Sequence, residues 1–148
     1  MTYIDVYGNI VYADKNIIII ADLNDVCKCF VTGDINEEIH CKNDIDILMI
    51  SEDVQNIKCG MFSGLHNLKS VVLPKNLISI EDNAFKDCVS LNNIYIPDSV
   101  EYISDTAFSG CDSVILCVTN EKLYISLQDT SYKDNVVLVD SADDCEIL

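Results

Sequence analysis

Apolar residues in the middle of the chain return on one period. Phe62, Phe85 and Phe108 are spaced by 23 residues, as are Leu68, Leu91 and Val114. Val54, Leu77 and Val100 keep the same spacing, each followed three positions later by Ile57, Ile80 or Ile103. Three apolar series on one period imply a single supersecondary unit used several times and stacked so that equivalent side chains share an interior. Backwards, Ile45, Leu48 and Ile50 fall in register with Leu68, Val71 and Leu73, and Ser51 stands where later copies carry Pro74 and Pro97. The array therefore runs from about residue 45 to about residue 118.

Within each copy, LKSVVLP and LNNIYIP carry the L-x-x-L-x-L spacing of a leucine-rich repeat strand. Parallel strands are expected near 47–50, 70–73, 93–96 and 115–118. A proline directly after the strand ends ladder pairing and sets the turn. The longer pattern is strand, Pro, V/L-x-x-I, then A-F-x-x-C-x-x-L. Pro74, Leu77, Ile80, Ala84, Phe85, Cys88 and Leu91 carry it in one copy, and Pro97, Val100, Ile103, Ala107, Phe108 and Cys111 in the next. This pattern resembles the BspA-like leucine-rich repeat family over about half the chain. The resemblance implies a ladder of stacked parallel strands, with the A-F-x-x-C segment as a short turn or helix on the opposite flank. It also implies action by binding proteins or host surfaces.

The expected fold class is an α/β solenoid, mostly β, in one domain spanning 1–148. A short array needs its open ends covered. Residues 1–44 read as a β-rich amino-terminal cap: YIDVYGNIVYAD has two alternating runs around Gly8-Asn9, a hairpin signal, and IIIIADLNDVCKCF continues as a further strand. Gly33-Asp34 marks an irregular coil. Residues 119–148 read as a carboxy-terminal cap: a short helix from Glu121 to Asp129 after Asn120, a final strand in NVVLVD at 135–140, and a loose acidic tail, SADDCEIL.

Charge narrows the partners. The chain has 25 acidic residues against 9 basic ones, all lysine, for a formal charge of -16. Such a polyanion repels phosphate backbones and anionic lipid, so neither nucleic acid nor a membrane is an expected partner. The acidity serves either solubility or attraction to a basic protein surface. The first fifteen residues contain no basic leader region, and Ile17 to Ala21, the longest aliphatic run, is too short to span a bilayer. The expectation is therefore a cytoplasmic chain whose eight cysteines are thiols. Cys88 and Cys111 occupy equivalent repeat positions, with Leu65 in that slot one copy earlier, so their expected role is packing.

Little in the chain points to catalysis, a cofactor or a metal. His66 lies in a turn with no nucleophile or acid beside it in sequence. Cys27, Cys29, His40 and Cys41 could together ligate zinc, but the spacing is not a zinc signature, and Cys27 and Cys29 more simply share one face of a strand. Asp44 with Asp46, and Asp143 with Asp144, read as solvated charge. Neither a glycine-rich phosphate loop nor a G-x-S-x-G elbow occurs.

What remains is a surface. With a side-chain period of two, the outward rows are Ile47, Ser70, Asn93 and Leu116, and then Met49, Val72, Tyr95 and Val118. The second row is apolar in every coil, unlike a solvated sheet face. A partner docks on it, a flanking segment folds over it, or β-propensity alone chose these residues. The reading adopted is a non-enzymatic module that binds a protein partner through Met49, Val72, Tyr95, Val118, Asn93 and Ser70. The alternative, supported by charge alone, is an acidic phage-type inhibitor that mimics nucleic acid in the basic groove of a nucleic-acid-handling protein.

Overall fold

The computed structural model describes residues 2–4, 10–14, 17–21, 27–31 and 45–147, with side chains described for 29–31 and 45–146. Four strands come first: β1 (Thr2–Ile4), β2 (Ile10–Asp14), β3 (Ile17–Ala21) and β4 (Cys27–Val31). They pair antiparallel in chain order, which agrees with the hairpin signal around Gly8-Asn9. That dipeptide and Gly33-Asp34 lie outside the described residues. The chain then turns to parallel pairing, β4 with β5 (Ile47–Ile50).

From β5 onward the 23-residue period becomes a solenoid with three kinds of side. One side carries β5, β7 (Ser70–Val72), β9 (Asn93–Ile96) and β11 (Ile115–Val118), the expected parallel strands. Their pairing is divided between two sheets, since β7 ends the six-stranded sheet and β9 begins a three-stranded one. A second side carries β6 (Asn56–Ile57), β8 (Ser79–Ile80) and β10 (Tyr102–Ile103), paired parallel in the order β10-β8-β6. The Ile57, Ile80 and Ile103 series is the inward half of this ladder.

The third side is a column of turns, not helices. Backbone amides reach the next coil there: Phe62 N donates to Ala84 O at 2.8 Å and Phe85 N to Ala107 O at 2.8 Å. Gly64, Asp87 and Gly110, again spaced by 23, all have positive φ, at 79°, 60° and 79°. Two of the three copies meet this left-handed corner with glycine, the residue that enters it without a Cβ penalty.

The interior is continuous across the coils. Phe62 and Phe85 stack with ring centroids 5.4 Å apart, and Phe85 and Phe108 at 5.3 Å and 3°. Cys88 Sγ donates to Phe62 O at 3.3 Å, and Cys111 Sγ to Phe85 O at 3.0 Å. A cysteine suits this slot because it is apolar enough to be buried yet carries a weak donor for the carbonyl of the coil before. Its neighbour Cys111 and then burial push the Cys88 thiol well above its ordinary range, so it is a packing group and not a nucleophile.

Past β11 the chain forms α1 (Glu121–Leu127), capped by Asn120 Oδ1 accepting from Leu123 N at 3.1 Å, and then β12 (Val136–Leu138), parallel to β11. Between them Tyr132 closes the aromatic column, edge-on to Phe108 at 6.1 Å, and its hydroxyl donates to Ser104 O. Burial pushes the Tyr132 phenol up to about 12. The folded state holds this proton more tightly than the unfolded chain, where tyrosine titrates near 10. Its contribution to stability is therefore complete below about pH 10 and is lost as pH rises towards 12. Tyr132→Phe should lower stability at neutral pH by about 1 kcal/mol through the lost hydrogen bond. It should also make the urea midpoint fall less steeply between pH 10 and 12 than in the parent. An unchanged alkaline slope would contradict this assignment.

Two expectations are corrected by the carboxy-terminal half. The tail is not loose: Ala142–Ile147 forms a 3-10 helix. The cysteines are not all thiols either, because Cys117 and Cys145 are joined by a disulfide, with Cα atoms 5.7 Å apart. Cys59, Cys88 and Cys111 remain thiols.

Candidate functional site

The outward face of the strand ladder is set by register. Phe30 stands beside Met49, Met49 beside Val72, and Tyr95 beside Cys117. Along β5 and β9 the odd residues are half-buried and the even ones buried, as a single-sided sheet requires. Val72 is the most open member of the row, at 54% exposure. Ile47, Ser70, Asn93 and Ile115 form the adjacent row.

Val118 and Leu116 are the exceptions to the sequence reading. The 23-residue spacing sets both outward, but both are fully buried, and Val118 pairs with Ile96 while Leu116 pairs with Ile94. The reason is one missing residue. Leu91 to Ile94 spans three positions, whereas Val114 to Leu116 spans two, so the last strand slips by one and every side chain changes face. Ile115 and Cys117 take the outward places instead. In VILCV nothing polar marks the face, so alternation could not reveal the slip.

The same slip brings Cys117 beneath the 3-10 helix. There Cys145 bonds to it, and Asn93 Nδ2 donates to Cys145 O at 2.9 Å. Tyr95 is held from the other side, its hydroxyl 3.0 Å from Thr119 Oγ1. Between the 3-10 helix and the ladder lies a groove of about 450 Å³, lined among others by Ser70, Val72, Asn93, Tyr95, Asp143 and Cys145. Lys69, at its edge, is 2.8 Å from Asp46 Oδ1. Of the proposed residues, Met49, Ser70, Val72, Asn93 and Tyr95 thus share one face, and Val118 leaves it. Phe30 joins that face. Its place in the row depends on β4 pairing parallel to β5, which the repeat spacing does not show.

The polar members of this face are amides, hydroxyls and exposed carboxylates, suited to recognition by contact. Among the described residues no group of three or more His, Cys, Asp or Glu side chains is placed to hold a metal ion. Of Cys27, Cys29, His40 and Cys41, the last two lie outside the described residues. Nor is any described helix long and apolar enough to cross a membrane.

Comparison with known proteins supplies the family context. The sequence profile of the BspA type leucine rich repeat region matches residues 33–137 in 6 copies, further in both directions than the 45–118 array. A leucine rich cell surface protein from Faecalibacterium prausnitzii superposes with a TM-score of 0.50 at 18% identity, over 72% of this chain and 33% of that one. A leucine-rich repeat protein from Bacteroides ovatus superposes with a TM-score of 0.45 at 16% identity, over 74% of this chain and 39% of that one. The chain thus spans about a third of the length of these solved structures. No curated protein matches it.

Proposed function

The chain belongs to the BspA-type leucine-rich repeat family, and from that premise we propose that it is a non-enzymatic binding module whose outward ladder face docks a protein partner. The observation that carries this reading is the row Phe30, Met49 and Val72 on three paired strands, still open at Val72 and continued in the next coil by Tyr95, which lines one groove with Val72. Paired strands about 4.8 Å apart put Phe30, Met49 and Val72 in one strip, with Tyr95 beyond its end. A strip with a tyrosine anchor and a polar border of Ser70 and Asn93 has the make-up of an interface core and rim. The apolar centre implies a dock that tolerates salt, and the surrounding acidity favours partners with basic borders.

Val72 and Val89 are equally exposed, both at 54%, but only Val72 lies on the ladder. The test is therefore a matched pair. Val72→Asp should reduce partner capture by tenfold or more, Val89→Asp should leave it unchanged, and both should keep the parent's melting temperature. Equal loss of capture in the two variants, or none in either, would remove the ladder face as the binding site.

A further inference from the structure

We propose that the Cys117–Cys145 disulfide is a redox latch that holds the carboxy-terminal 3-10 helix over one end of the ladder face, and that its reduction uncovers Asn93, Tyr95 and position 117. The inference rests on the reading of that face as the docking surface and names how it is regulated.

The geometry points to a strap and not to an extra layer of core. Of residues 142–146 only Cys145 is buried; Ala142, Asp143 and Glu146 are exposed, and Asp144 is half-buried with its carboxylate accepting from Ser141 N and Oγ of its own turn. Across to the ladder run the disulfide and the bond from Asn93 Nδ2 to Cys145 O. Fixing the backbone of six residues costs more conformational freedom than one such hydrogen bond returns. Among the described residues the covalent bond is therefore the main hold, and on the latch reading the segment leaves the ladder without it. What it covers is specific: Asn93 and Cys117 flank Tyr95 in the outward rows, and the groove beside Val72 has the segment as one wall.

The reductant required is a dithiol. One of its thiolates attacks Cys145 Sγ, on the less enclosed of the two residues, so that Cys117 Sγ leaves and takes a proton. The second thiol then displaces Cys145 Sγ, which is protonated in turn. Two electrons and two protons pass to the protein, and the dithiol becomes a disulfide.

The test uses the whole chain in three forms: oxidised, reduced with dithiothreitol, and Cys145→Ser, which removes the bond without reductant. Amide hydrogen exchange is the first readout. Exchange across 142–147 should rise by tenfold or more in the reduced and Cys145→Ser forms, while the amides of β5, β8 and β10 keep their protection. Protection at 142–147 that survives in both forms would overturn the latch. Capture of the partner is the second readout, expected to be several-fold stronger in the reduced and Cys145→Ser forms. A freed segment with capture unchanged between forms would overturn its gating role. A freed segment with no capture in any form would uphold the latch and sink the docking reading instead.

Discussion

Phe85→Ala is expected to lower the free energy of unfolding by about 3–5 kcal/mol, the range for truncating a large buried aromatic side chain. Phe85 is fully buried and stacked on both sides, at 5.4 Å from Phe62 and 5.3 Å from Phe108. Its removal leaves a void in the centre of the column, and the neighbouring rings belong to rigidly registered coils that cannot collapse into it. Cys111 Sγ hydrogen-bonds to the Phe85 carbonyl, so a shift of that backbone is transmitted to the next coil. Chemical denaturation gives the value directly. A loss below about 1 kcal/mol, the scale of a surface substitution, would mean that the column is not the core of the array.

Val118→Asp should cost on the order of 4 kcal/mol or more, because it places an unpaired carboxyl among buried aliphatic groups. Val118 lies between Ile96 and Leu138 in the parallel ladder and is fully buried. Val72→Asp makes the same chemical change two coils earlier, on an exposed side chain, and should move stability by no more than about 0.5 kcal/mol. The two urea midpoints decide between the observed register and the regular 23-residue spacing. If Val118→Asp were as mild as Val72→Asp, the last strand would not have slipped and Val118 would return to the outward face.

The parts of the architecture legible in the sequence were those with redundant signals. Phenylalanine, leucine and isoleucine series on one period agree on where the coils are, and both Pro74 and Pro97 mark the strand ends. The helix after Asn120 and the strand in NVVLVD also follow local rules, a capping side chain and a β-branched run. Features that depend on a single residue more or less were hidden. The short step from Val114 to Leu116 moved Val118 inward, and Tyr132, 24 residues after Phe108, completes the aromatic column without keeping its period. The Cys117–Cys145 bond was illegible for another reason: connectivity depends on where the tail lies in space, and eight cysteines admit many pairings.

The proposed docking face was half legible. Alternation places Met49, Val72 and Tyr95 outward, but not the strap that borders them or the Phe30 that extends them. The most direct measurement of the central claim is therefore contact with the partner. A photo-crosslinking amino acid placed at position 72, and in a second protein at position 89, offers two probes of equal exposure on different sides of the solenoid. In lysate of the source organism, under reducing conditions, the docking reading predicts one discrete crosslinked protein from position 72, suppressed by excess uncrosslinked parent, and none from position 89. Crosslinks from position 89 alone, or the same products from both, would contradict it.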